Sequence, residues 1–150
     1  MRLHARAAPV IVLLLAGAVP LVLVGSGETL PGPIPAEVLK VVDGDTLEVE
    51  ARIWLGQGVQ VSVRLRGVDT PELKGKCEAE REAAAKAKAR LMQLVGDGAV
   101  KLADVGYDKF GGRVLARVSD SKGRDLAQAL IADGLARAYD GRARRAWCGV

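Results

Sequence analysis

Val59-Gln60-Val61-Ser62-Val63-Arg64-Leu65-Arg66-Gly67-Val68-Asp69-Thr70-Pro71-Glu72 decides both the fold and the chemistry to look for. Val59, Val61, Val63 and Leu65 alternate with Gln60, Ser62, Arg64 and Arg66. A period of two predicts a strand with one buried face. Beyond Gly67 the chain places Asp69 and then Glu72 after Arg64, at spacings of five and three. A second acidic cluster, Asp43-Gly44-Asp45-Thr46, lies just upstream. Carboxylate oxygens suit a hard metal ion and an arginine suits phosphate, so the combination points to phosphodiester chemistry.

Working outward from this stretch, Glu37–Val42 and Thr46–Ile53 are rich in Val, Leu and Ile, with the turn signal Asp43-Gly44-Asp45 between them. Gly56-Gln57-Gly58 supplies the next turn, so the first half reads as a three-stranded meander. Pro71 breaks that pattern. Glu78–Val95 carries an apolar stripe of Ala83, Ala84, Ala87, Leu91, Leu94 and Val95 near period 3.6, which predicts a helix stopped by Gly96. Val100–Val105 and Val114–Val118 read as short strands joined by the loop Asp108–Gly112. Asp125 is placed to cap a helix through Asp133 that Gly134 ends. Five short strands with a helix after the third define an α+β, mainly β chain folded as a small closed barrel.

The 150 residues favour one domain. The amino end stands apart. Arg2, His4 and Arg6 precede Ala7–Gly25, a run without charge that exceeds a signal core of about 7–15 residues and approaches the roughly 20 that span a bilayer. Residues 1–26 are therefore read as an amino-terminal apolar helix preceding the barrel, either a signal peptide or a retained signal anchor. Either predicts export of the remaining chain to the periplasm or the extracellular space, with membrane attachment if the leader is kept. Residues 27–36, with Pro31, Gly32, Pro33 and Pro35, read as a linker. The folded unit is then 37–150.

Without Arg2 and Arg6 the remaining basic residues only slightly outnumber the 18 acidic ones. Arg142, Arg144 and Arg145 crowd the carboxyl end, either as a solvated tail or as a contact for a polyanion. Cys77 and Cys148 are the two cysteines. In an exported domain such a pair is expected to be bridged, the alternative being two buried thiols. The single histidine, His4, is in the leader. This excludes a histidine triad, a histidine-ligated metal and a histidine general base from the folded unit.

Taken together, Val42–Thr46, Arg64–Glu72, Asp108–Ala116 and Leu126–Tyr139 resemble the staphylococcal nuclease (thermonuclease) family, over about residues 37–140. The resemblance implies a five-stranded barrel of the oligonucleotide-binding type (OB-fold) with three helices. It implies Ca²⁺-dependent hydrolysis of DNA and RNA. Asp45 and Asp69 match the family's calcium carboxylates, and Thr70 the position that offers its carbonyl to the ion. Glu72 matches the general base, while Arg64 and Arg113 match the arginines on the reacting phosphate. Asp43 matches a secondary acidic position. Lys109 and Phe110 fall in a loop that lines the substrate groove.

This sequence departs from the family pattern in three ways. An extra glycine, Gly111-Gly112, precedes Arg113, Phe110 stands where tyrosine is frequent, and Cys77 and Cys148 lie outside the catalytic pattern. The resulting expectation is a monomeric, exported, metal-dependent nuclease of low sequence specificity. Its rival is a non-catalytic nucleic-acid-binding barrel tethered at the cell envelope.

Overall fold

A computed structural model describes residues 27–149. In chain order the elements are β1 (Thr29–Leu30), β2 (Ile34–Val41), β3 (Thr46–Trp54), β4 (Gln57–Leu65), β5 (Val68–Asp69), α1 (Glu78–Val95), β6 (Ala99–Tyr107), β7 (Arg113–Asp120), α2 (Leu126–Ala132) and β8 (Arg137–Ala138). Tight turns fix the register of the first three long strands, which pair antiparallel as β2–β3–β4. β4 then meets β7 in parallel, β7 meets β6 antiparallel, and β6 returns to β2. The five strands β2, β3, β4, β7 and β6 thus close into a barrel and leave no long unpaired edge among them.

Leu47, Val49, Val63, Leu65, Leu102 and Val118 fill the barrel and are almost wholly buried. Burying each leucine contributes about 2 kcal/mol. Leu91 and Leu94 of α1, with Leu126 and Leu130 of α2, cover the barrel from outside its strands. Glu78 and Glu80 complement the amino-terminal dipole of α1, and Gly96 ends it at φ 61°. The Asp125 carboxylate accepts from the Gln128 N–H at 3.0 Å and caps α2.

The alternation in β4 is realised on its carboxyl half alone. Val63 and Leu65 are buried, whereas Val59 stays exposed because the β3–β4 hairpin, with Ile53, Trp54 and Leu55, extends beyond the barrel wall. The proline-rich stretch expected as linker (27–36) is not free chain. β1 pairs with β6, and the first residues of β2, Pro35 included, pair with Leu102–Ala99. The described residues contain two helices rather than three. After β8 the Asp140 carboxylate accepts from the Arg142 N–H at 3.1 Å, and Gly141 takes φ 91°. Such a local side-chain turn competes with helix formation. The expected leader, with its apolar run at 7–25, lies outside the described residues. Among the described residues no helix is long and apolar enough to cross a membrane. Cys77 and Cys148 are bonded, with their Cα atoms 6.0 Å apart, which fastens the tail to the start of α1.

Gly44 seats the acidic turn against the helix. A Cβ there would lie 2.9 Å from both the Ala87 Cβ and the Thr70 Oγ1. Gly44→Ala is therefore expected to destabilise the fold by about 1–3 kcal/mol. Denaturant unfolding checks this, and a midpoint equal to the parent's would show that the turn is not packed this closely.

Candidate active site

The β3–β4 register sets Thr46 opposite Arg64, which brings the acidic turn beside the guanidinium. Arg64 Nη1 donates to Asp45 Oδ1 at 2.7 Å, and the Thr46 hydroxyl donates to the same oxygen at 3.1 Å. Asp45 is 2 % exposed, and its second oxygen, Oδ2, is buried with no hydrogen-bond partner. Burial pushes the Asp45 carboxyl up from 3.8 to about 6. Arg64 opposes the rise, Asp43 adds to it, and the hydrogen bond from Thr46 opposes it. Asp43 turns back to accept the Asp45 N–H at 3.0 Å, so it shapes the turn.

Asp69, Thr70 and Glu72 leave the barrel on a short arm. The two-residue ladder β5–β8 pins that arm, pairing Val68 with Ala138 and Asp69 with Arg137. Asp69 is buried, with its Oδ1 3.8 Å from Arg64 Nη2. Glu80, buried near the start of α1, holds the adjoining loop, accepting the Glu72 N–H at 3.4 Å and the Lys76 N–H at 3.0 Å. The Glu72 carboxylate itself is exposed.

Arg113 reaches the same region from the start of β7. Its Nε donates to Asp108 Oδ2 at 2.5 Å, across the loop that carries Lys109 and Phe110. The Phe110 ring lies under both cations, 5.0 Å from the Arg113 guanidinium and 5.2 Å from Lys109 Nζ. The additional glycine of this loop is accommodated at Gly112, φ 78°, and the strand resumes at Arg113.

One cleft of about 550 Å³ is lined by Asp43, Asp45, Arg64, Thr70, Glu72, Lys109, Phe110 and Arg113. Asp69 sits behind this wall, under Arg64 and a third arginine, Arg144. Local pattern did not assign Arg144 to the site. Its Nε donates to Asp69 Oδ1 at 2.5 Å, its Nη2 to the Thr70 carbonyl at 3.1 Å, and its Nη1 to the Glu72 carboxylate. Burial alone would lower the Arg144 pKa. The hydrogen bond to Glu72 and the charges of Asp69 and Glu72 outweigh it, and the net direction is upward. Trp147 Nε1 donates to the other Asp69 oxygen at 3.2 Å. One signal pointed to both residues. Cys77 comes soon after Glu72 and Cys148 soon after Arg144, so a bridge between the cysteines brings the tail to the acidic arm.

The fold and site together define a five-stranded OB-type barrel whose cleft sets the buried Asp45 carboxylate beside the Arg64 and Arg113 guanidinium groups. Residues 62–146 match the family described as staphylococcal nuclease homologue, and the chain belongs to that family. No curated protein sequence matches it significantly.

The raised Asp45 value has a sign that can be tested. Asp45 favours the folded chain fully below its ordinary 3.8, and this contribution is lost as pH rises through about 6. Without divalent ions, the stability of the parent relative to Asp45→Asn is expected to fall on the order of 2 kcal/mol between about pH 4 and pH 7. Chemical unfolding of both proteins across that range reads it, and a difference independent of pH would contradict the burial argument.

Proposed function

We propose that this chain is a calcium-dependent nuclease that hydrolyses phosphodiesters of DNA and RNA with little sequence preference. One observation carries the reading: Asp45, Thr70 and Glu72 share a cleft with Arg64 and Arg113. The unpartnered Asp45 Oδ2, buried in an acidic turn, fits a hard cation. Asp45, Asp69 and the Thr70 carbonyl would hold Ca²⁺, which when bound polarises a phosphoryl oxygen and orients water.

The remaining work falls to this chain's own side chains. Arg64 and Arg113 present planar forks that match phosphate oxygens two at a time and stay charged at any working pH. Each would exchange an internal carboxylate, Asp45 or Asp108, for the substrate when phosphate arrives. Glu72, exposed at the cleft, would take a proton from attacking water, with its backbone steadied by Glu80. Phe110 and Lys109 offer a ring face and a cation to the strand beyond the scissile bond. Contacts made to phosphate carry no sequence information, hence the low specificity. We also place the folded unit outside the cytoplasm, a reading supported by the Cys77–Cys148 bridge and the basic, apolar leader.

Plasmid DNA and RNA cleavage by the full chain, with Ca²⁺ and then with a chelator, tests this. Glu72→Gln is expected to lower kcat by about 10²–10⁴ while leaving the unfolding midpoint near the parent's. Cleavage by the variant at the parental rate would remove Glu72 from its role. A parent that binds nucleic acid without cutting it would favour the tethered binding module.

A further inference from the structure

The chain after β8 folds back over the acidic arm and is held there at several points. The Tyr139 N–H donates to the Gly67 carbonyl at 3.0 Å. The Arg137 guanidinium stacks 3.7 Å from the Trp147 ring centroid and donates to the Ala146 carbonyl at 2.9 Å. Trp147 donates to Asp69, and Cys148 is bonded to Cys77. Between these fixed points Arg144 is delivered onto Asp69, the Thr70 carbonyl and Glu72. Three acceptors from one short arm converge on one guanidinium, which fills the space between them.

Both oxygens of Asp69 are engaged by the tail, one by Arg144 and the other by Trp147. The guanidinium therefore meets two of the three groups assigned as cation ligands and the one assigned as the base. A positive side chain in that space repels a divalent ion and engages the oxygens it would use. The tail is also covalently tethered beside the site, so its local concentration there is high without any external partner.

We propose that Arg144 is a built-in cationic plug that competes with the divalent ion for Asp69 and the Thr70 carbonyl while occupying Glu72, with the Cys77–Cys148 bridge setting how strongly it competes. The inference rests on the phosphodiesterase reading for the identity of the ion. Ion entry requires Arg144 to withdraw, so the ion's apparent affinity is reduced by the fraction of chains with the plug in place. Ion binding in turn frees the tail between Tyr139 and Cys148 and changes the surroundings of Trp147.

Calorimetric titration of Ca²⁺ into the full chain tests this, comparing the parent with Arg144→Ala, Arg145→Ala and Cys77→Ser/Cys148→Ser. Arg144→Ala is expected to bind Ca²⁺ about tenfold more tightly. Arg145 is a neighbouring exposed cation with no hydrogen bond or ion pair to Asp69 or Glu72, and Arg145→Ala is expected to stay within about twofold of the parent. The cysteine double variant is expected to fall between the two, because its plug loses the covalent clamp and keeps only its non-covalent contacts. In a Trp54→Phe background, Trp147 emission is expected to change with the same Ca²⁺ midpoint that calorimetry gives.

An Arg144→Ala affinity equal to or weaker than the parent's would overturn the plug. So would an equal gain in Arg145→Ala, or Trp147 emission that stays constant while Ca²⁺ saturates the protein. Absence of Ca²⁺ uptake by every protein would overturn the plug and the cation reading together. Uptake without a gain in Arg144→Ala would overturn the plug alone.

Discussion

The ion pair between Arg64 and Asp45 joins the fold to the site. Asp45 is buried at the end of a tight turn, and a buried carboxylate without a partner is expensive. Arg64 lies within reach because Thr46 and Arg64 are direct cross-strand partners. A shift of one residue in that register would send Arg64 to the other face of the sheet and leave Asp45 uncompensated. Even so the compensation is partial. Arg64 and Thr46 both address Oδ1, and Oδ2 is left over. That remainder is a buried acceptor left open within an acidic turn.

Much of the barrel was legible in local pattern. The meander β2–β4, the helix α1 with its stripe from Ala84 to Val95, and the capped helix α2 each derive from periodicity, turn residues or a capping aspartate. The acidic turn, Arg64–Glu72 and the Asp108–Ala116 segment, read jointly, lie around one cleft, with Asp69 outside its lining. What escaped was short or non-local. β5 and β8 are two residues each and have no period to detect, yet their ladder holds Asp69 in place. Pro35 suggested free chain, although a strand tolerates proline near its start. The third helix implied by family resemblance is replaced by a tail whose order comes from side-chain contacts, chiefly those of Arg137, Trp147 and the disulfide. Such contacts leave no periodic trace.

Arginine plays distinct parts in one small region. Arg66, also on the cleft wall, satisfies the carbonyls of Asp104 and Leu115, where β6 bulges and Asp104 adopts φ 50°. Arg64 and Arg113 each rest on an internal carboxylate, Asp45 and Asp108 respectively. Arg144 stands where positive charge balances Asp69 and Glu72. The acidic arm is therefore neutralised from within.

If the acidic oxygens of the β2–β3 turn and of the arm after β5 form one cation site facing Arg64, calcium must find them together. A crystal structure of the full chain grown with Ca²⁺ reads this without intermediaries, through the anomalous signal of the ion. A single peak is expected about 2.3–2.6 Å from Asp45, Asp69 and the Thr70 carbonyl, with the Arg144 guanidinium withdrawn from Asp69. Calcium bound at some other surface, or these three groups without an ion at saturating calcium, would refute the shared site.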